Sequence, residues 1–402
     1  MNDEVQSDPQ IIDRAYAHIV HLAKGIGPRG SCTQAELQAA EYVSSTFDDL
    51  GLSDVQMQAF TGSPTAYGRY ALVFGVAILA QLMVGVIQNE WAYLAAGAIY
   101  GLAAWAMYAE SDFHPNWTHW LIRPRPSQNV LACSRARKTQ LRKVVISAHI
   151  DTHRTPFFNS NATWQRWYTR SFRIGFLCLI SGSGLATFAG FFDLAALRIL
   201  FLLLALPITL GLLAFIHADT TPFSPGAYDN ASGVACTLGL AQHLAQNPLE
   251  NTTVWFVATG CEETGAGGMS ALVKNMTERW QHALWINLDQ TGIGMLYLRL
   301  QEGMLRRYSI QTPALRLARA AAKISAIHLR ERPSQAFSDA IIAHQHGLLA
   351  ISLGASPSEP GLETPRHQLT DIPSTIQPGT LQQTITYVRS LISLWDEREQ
   401  QR

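Results

Sequence analysis

Charge is what this sequence has little of. Asp, Glu, Lys and Arg make up 15% of its 402 residues, against about 25% in an ordinary soluble domain. Lys+Arg number 30 and Asp+Glu number 30, so the formal charges cancel. Nothing therefore points to nucleic acid or to a strongly charged partner. Cysteine is also scarce. The five residues Cys32, Cys133, Cys178, Cys236 and Cys261 are odd in number and form no C-x-x-C pair, which argues against a disulfide framework and against a structural zinc knuckle. There is no internal repeat and no low-complexity tract. The opening MNDEVQSDPQ is acidic and polar and does not read as a signal peptide. What the chain has instead is hydrophobic residues, 48% of the total, a membrane-leaning balance in a chain long enough for one large domain or two ordinary ones.

The apolar residues gather in four blocks, Ala71–Ile87, Trp91–Tyr108, Ile174–Phe192 and Ile199–Ile216. Each is roughly 17–19 residues long and lacks formal charge (Arg198 lies just before the last), about the length that crosses a bilayer core as a helix. Internal glycines and Pro207 are tolerated in membrane helices, and Trp, Tyr and Arg in FHPNWTHWLIRPRP and WQRWYTRSFR suit the bilayer interface. Short turns, QNE and DLAALR, join the blocks in pairs. Each pair reads as a hairpin that leaves and re-enters on one side. The expected organisation is one body in three pieces, 1–68, 111–172 and 218–402, interrupted by transmembrane hairpins at 69–110 and 173–217. Arg69, Arg123, Arg125, Arg166, Arg170 and Arg173 lie on the body's side and only Arg198 in a turn, so the positive-inside rule puts the body in the cytoplasm. The N-x-[ST] sequons at Asn116, Asn161, Asn230, Asn251 and Asn275 are taken as chance matches.

Outside the hairpins the pattern is α/β. VQMQAF, NVLACS, KVVISAHID, TTVWFVATG, ALWINLDQ, MLYLRL and LLAISLGA read as strands. Helical stretches lie between several of them, and TQAELQAAEYVSSTFDDLGL carries a capping box of Thr33 and Glu36. Alternation of this kind argues for a mixed, largely parallel sheet with helices on both faces. In such sheets chemistry collects at the carboxyl ends of the strands.

That is where the acids and imidazoles fall. His149 and Asp151 end one strand, Asp289 another, and the adjacent Glu262 and Glu263 a third. Asp229 precedes a helix in SPGAYDNASGVA, and His367 sits in a late loop. Two imidazoles and three carboxylates, with one to spare, suit a pair of divalent cations of the zinc type. A carboxylate shared between them holds such ions about 3.5–4 Å apart. The Glu-Glu pair then makes sense: one glutamate binds metal and the other stays free to take a proton. Three features are set aside. His153 reads as a loop histidine. His344 and His346, two positions apart on a helix, do not share a face. Cys261 reads as a buried strand-end thiol.

In this order, His149-x-Asp151, AYDNASGVA, EETGAGG, NLDQTG, SDAIIAHQHGLLAISL and HQLTD, the motifs resemble those of the co-catalytic zinc aminopeptidases, a clan that includes glutamate carboxypeptidase and glutaminyl cyclase. The resemblance covers the chain outside the hairpins and implies a zinc exopeptidase fold. It implies that His149 and Asp289 bind one metal, Glu263 and His367 the other, and that Asp229 bridges them. By the same resemblance Glu262 is the general base, and Asp151 stands behind His149, accepts its second N–H and fixes its tautomer. The Asp229–Asn230 bond is expected to be cis. Gln368 and Leu369 depart from the family's Thr and Pro, Asp371 keeps its place, and Ser338-Asp339 matches an element near the substrate cleft. The implied activity is a membrane-anchored aminopeptidase using two divalent ions, zinc by expectation, with a peptide as substrate and the lipid bilayer as partner. The alternatives are a single-zinc, glutaminyl-cyclase-like transferase and an inactive membrane receptor on a peptidase body.

Overall fold

The computed structural model describes residues 9–138, 140–334, 336–358 and 363–397; the ends of the first and last expected pieces, 1–8 and 398–402, lie outside them. Helices α1 (Pro9–Val20) and α2 (Gln34–Asp49) open the chain. Strand β1 (Ser53–Gly62) leads into α3 (Gly68–Ile87) and α4 (Glu90–Ser111), and the short α5 (Thr118–Leu121) returns to β2 (Arg125–Ser134) and β3 (Arg142–His149). Then come α6 (Ala162–Phe191), α7 (Ala195–Leu203), α8 (Ala205–Thr220) and α9 (Ser232–Gln246). The rest is β4 (Thr252–Thr259), α10 (Gly267–Trp280), β5 (Leu284–Leu288), β6 (Met295–Glu302), β7 (Tyr308–Ser309), α11 (Thr312–Ile324), β8 (Arg330–Pro333), α12 (Ala340–Gln345), β9 (Leu349–Ser356) and α13 (Pro378–Asp396).

The strands form one nine-stranded sheet in the order β1-β2-β4-β3-β5-β9-β6-β7, with β8 beside β6. The centre, β4-β3-β5-β9, is parallel; β2 and β6 run against it, and β1, antiparallel to β2, runs with it. Successive residues of β3 face opposite layers. Val144 and Ile146 pack with Phe256 and Ile286 under α1, α9 and α13, while Val145 packs with Trp255, Trp280 and Trp285 under α10 and α12. Burial on both faces is why the central strands read as unbroken apolar runs. The edge strands β7 and β8 were not foreseen; at two and four residues they carry too short a pattern. Ile286 is fully buried at the middle of the sheet. Ile286→Ala should cost about 2–5 kcal/mol, measured as a lowered denaturation midpoint of the detergent-solubilised chain.

Four stretches, Gly68–Ile87, Glu90–Ser111, Ala162–Phe191 and Ala195–Thr220, are long and apolar enough to cross a membrane. Their insertion leaves the sheet intact because each hairpin starts and ends at neighbouring backbone. Gly62 and Arg125, before and after the first, are register partners across β1 and β2; Arg154 and Phe223, around the second, form an isolated bridge. The spans pack as one bundle. A Cβ at Gly97 of α4 would lie 2.3 Å from Thr187 Oγ1 of α6, the close approach that small residues allow between membrane helices. Leu79, Leu82, Val86, Leu177, Leu206 and Leu213 point outward and stay exposed, as a lipid-facing surface requires. Two details differ from the sequence reading. WQRWYTR is not a separate interfacial segment but the first turns of α6, capped by Asn161. The last apolar block breaks at Leu204, so that its span is the pair α7 and α8.

Candidate active site

β3 lies between β4 and β5, with His149 in register with Thr259. Their carboxyl ends therefore release His149, the Glu262–Glu263 loop and Asp289 at one rim. Glycine at 265, with φ of 115°, lets the acidic loop turn back. Asp229 arrives from the segment before α9. Its backbone is held by Asp371, whose carboxylate accepts from the N–H of Tyr228 at 2.6 Å and of Asp229 at 3.1 Å. The Asp229–Asn230 bond is cis, as the resemblance implied. Asn230 is buried, its amide bonded to Leu288 O, Gly233 N and Gln290 N.

The expected ligands meet in two groups that share Asp229. His149 Nε2 lies 3.4 Å from Asp229 Oδ1 and 3.6 Å from Asp289 Oδ1. His367 Nε2 lies 3.0 Å from Asp229 Oδ2 and 3.3 Å from Glu263 Oε1. One carboxylate thus turns an oxygen to each group. Four of these atoms, Asp229 Oδ1, Asp289 Oδ1, Glu263 Oε1 and His367 Nε2, are buried without a hydrogen-bond partner. Orphaned buried acceptors are costly, and a cation in each group would satisfy them. The N/O donor set suits zinc. The residues therefore fit a pair of divalent ions. Asp229 Oδ2 additionally accepts from Arg366 Nε and Gln290 Nε2, both at 3.2 Å.

The electrostatics agree. Burial pushes the Glu262 carboxyl well above the usual carboxylate range, and repulsion from Glu263 adds to this against the pull of His149. Burial and the nearby Asp229 do the same to Glu263. Burial alone would lower the His149 imidazole, yet Glu262 and the acids around it hold it well above its ordinary value. That is the signature of a strongly negative pocket. The chain relieves it elsewhere with Arg299, whose Nη1 sits 2.7 Å from Asp289 Oδ2. Asp289 stays below the ordinary carboxylate value despite its burial because of that guanidinium.

Asp151 stands behind His149 and has further contacts that the sequence does not suggest. The nearer acceptor for His149 Nδ1 is the main-chain oxygen of Asp151, at 3.1 Å, with its carboxylate at 3.5 Å. The carboxylate also holds the Glu262–Glu263 loop, accepting from Glu262 N and Glu263 N at 3.1 Å each and from Ser31 Oγ at 2.6 Å. Both oxygens are used, so Asp151→Asn turns a donor toward a donor. Activity should fall about 10–100-fold, the usual cost of a lost outer-shell partner, with zinc affinity measured alongside kcat.

Two residues carry more than the sequence reading gave them. Glu36 is not the return half of a capping box. Thr33 does cap α2 through Glu36 N at 3.3 Å, but the Glu36 carboxylate accepts from Cys32 N at 2.9 Å and Cys261 N at 2.8 Å. It ties the chain's first loop to the one that carries Glu262 and Glu263. His153, set aside as a loop histidine, is buried against His367 with ring centroids 3.8 Å apart and planes within 10°. It lies close enough to His367 and Glu263 to form a ligand group with them. Parallel stacked rings cannot both hold one ion in their planes, however, so His153 supports His367 rather than joining it. The Asn159 amide nitrogen Nδ2, 3.0 Å from His367 Nδ1, supports the ring from the side. Arg299 and Arg366 were also missed, since a salt-bridge partner leaves no local pattern. His344 and His346 lie away from the rim, in and just after α12. Ser338 bonds Glu302 and Asp339 bonds Thr259, both buried beside the strands.

A cleft of about 390 Å³ opens over Glu262, Glu263 and His367. Its far wall comes from the bases of the apolar helices, through Tyr67 and Tyr70 at the start of α3 and Tyr168 of α6. Tyr67 stands edge-on to His153, its hydroxyl 3.3 Å from Nε2. The first hairpin is thereby in contact with the residue that backs a candidate ligand.

The sheet resembles that of solved zinc aminopeptidases, and part of the chain matches a peptidase family. Residues 209–392 match the family model described as Peptidase family M28. The fold resembles that of a zinc aminopeptidase from Bacillus subtilis, with a TM-score of 0.57 at 17% identity over 96% of both chains. It also resembles a leucine aminopeptidase precursor from Bacteroides thetaiotaomicron, with a TM-score of 0.56 at 14% identity over 98% of both. Among curated sequences the chain is 34% identical over 86 residues to Aminopeptidase YwaD of Bacillus subtilis. It is 33% identical over 104 residues to the Vacuolar membrane protease of Clavispora lusitaniae. Those alignments take in 21% and 25% of this chain but span only 19% and 10% of the relatives' lengths.

Proposed function

We propose that the protein is a membrane-anchored dinuclear zinc aminopeptidase. The observation that carries this reading is that Asp229 turns one oxygen toward His149 and the other toward His367, amid four buried ligand atoms, Asp229 Oδ1, Asp289 Oδ1, Glu263 Oε1 and His367 Nε2, that lack a hydrogen-bond partner. His149 and Asp289 would hold one ion, Glu263 and His367 the other, and Asp229 both. Two zinc ions, when bound there, supply polarisation of the scissile carbonyl and a more acidic water. Glu262 takes the proton of the attacking water on its carboxylate and delivers it to the departing amine. Asp151 holds the Glu262 and Glu263 main chain, and His153 and Asn159 hold the His367 ring. The tyrosines of the hairpin bases close the far side of the cleft, which favours a substrate that enters by its end. The peptidase body is made of 1–68, 111–172 and 218–402 with hairpins at 69–110 and 173–217, and it faces the cytoplasm. The names of the vacuolar membrane proteases and of the zinc aminopeptidases support the membrane and the reaction respectively.

The test uses the purified full chain in detergent. Aminoacyl substrates should be cleaved and N-blocked peptides not. Chelation should abolish cleavage and added zinc restore it. Hydrolysis of the blocked peptides, or chelator-resistant activity, would overturn the reading.

A further inference from the structure

Two of the five cysteines meet beside the proposed base. Cys32 Sγ and Cys261 Sγ are 3.3 Å apart, although 229 positions separate them in the chain. The sequence gives no hint of this, because neither belongs to a spaced cysteine motif. Three features hold the thiols together. Glu36 clamps both backbones, one carboxylate oxygen on each N–H. Both residues adopt left-handed backbones, with φ of 59° at Cys32 and 54° at Cys261, a conformation that is uncommon for non-glycine residues. Gly62 leaves the room: a Cβ there would lie 2.4 Å from Cys261 Sγ and 3.4 Å from Cys32 Sγ. Cys261 is fully buried, whereas Cys32 is partly exposed. Exposure on one side and a buried partner in contact is the arrangement in which one thiol meets an oxidant and the other resolves it.

We propose that Cys32 and Cys261 form a modification site, oxidised to an intramolecular disulfide by a low-molecular-weight disulfide of the oxidised-glutathione class, and that the bond displaces the Glu262 loop. The chemistry balances. Cys32 sulfur attacks one sulfur of the oxidant, the oxidant's S–S bond breaks, and one glutathione leaves as thiolate and takes up the proton Cys32 loses. Cys261 sulfur then attacks Cys32 sulfur, the mixed disulfide breaks, and the second glutathione leaves with the proton from Cys261. Two thiols have given up two electrons and two protons, and one oxidant has become two thiols. The geometry supplies the consequence. A disulfide needs its sulfurs about 2.05 Å apart, so the 3.3 Å contact must close by about 1.2 Å. Cys261 is joined directly to Glu262, whose N–H is fixed on Asp151. A misplacement near 1 Å in a catalytic group costs on the order of 10²-fold in rate. The loss of rate rests on the proposed hydrolase reading; formation of the bond does not.

The experiment treats the full chain in detergent with oxidised glutathione, alkylates it, and maps disulfides by peptide mass. The expected result is a Cys32–Cys261 linked peptide, an aminopeptidase rate at least tenfold lower, and reversal of both on adding the non-thiol reductant tris(2-carboxyethyl)phosphine. Cys32→Ser, outside the catalytic groups, should retain the basal rate and resist the oxidant. Cys261→Ser should also fail to form the link, which guards against a folding defect in either single variant. No linked peptide, or a linked chain with unchanged rate, overturns the proposal. If the linked peptide forms in a chain that has no aminopeptidase activity before oxidation, the modification site stands and the functional reading fails.

Discussion

Glu262→Gln should lower kcat about 10²–10⁴-fold, the usual worth of a positioned general base, while leaving zinc content unchanged. The two halves of that result separate the neighbouring acids. Glu262 is not in either group around Asp229; its Oε2 lies 4.0 Å from His149 Nε2 and faces the cleft. A glutamine has the same shape and keeps the main-chain bond from residue 262 to Asp151. It cannot accept the proton. Glu263→Gln in the adjacent position changes a ligand instead, because Glu263 Oε1 is an unpartnered atom aimed at His367 Nε2. That variant should lose zinc along with activity. Elemental analysis beside steady-state kinetics reads both. A Glu262→Gln chain that keeps its full rate, or that loses zinc as Glu263→Gln does, would show that the two roles are assigned the wrong way round.

The strand ends were legible because their physics is local. An unbroken β-branched run such as KVVISA or TTVWFVAT is a strand buried on both faces, and a charge at its end has only the rim to go to. With parallel strands in the centre, several such ends fall together, so His149, Glu262, Glu263 and Asp289 could be placed near one another before any coordinates. The hairpins were legible for the same reason: length and lack of charge are properties of a continuous segment. What was not legible depends on residues remote in sequence. His153 touches the site only through stacking on His367, and Tyr67 reaches it only because the first hairpin folds over the cleft. Glu36 has the spacing of a capping box, which gave its carboxylate a satisfactory local use. The tertiary structure offered it two better donors, Cys32 N and Cys261 N. Asp151 shows the same competition. Its carboxylate lies 3.5 Å from the His149 imidazole, and two main-chain N–H groups of the turning loop share it at shorter range. In each case the sequence pattern named an available partner, and the fold supplied a stronger set.

Asp229→Ala should remove both ions, whereas His367→Ala should remove one. The expectation comes from which oxygen faces which group. Oδ1 of Asp229 turns to His149 and Asp289, and Oδ2 to His367 and Glu263. Without the side chain, each group is left with one imidazole and one carboxylate, short of the three protein ligands that a catalytic zinc site ordinarily has. His367→Ala strips only the second group. Zinc per chain, measured after dialysis against a weak chelator, should fall from about two to near zero in the first variant and to about one in the second. Activity should reach background in both. The fold should survive the change at 229, because Asp371 grips the main-chain N–H groups of Tyr228 and Asp229 rather than the lost carboxylate. Circular dichroism checks that point. Equal zinc loss in the two variants would mean that the groups do not share Asp229 as a bridge, and a wild-type ratio of one ion per chain would mean that a single site does the work.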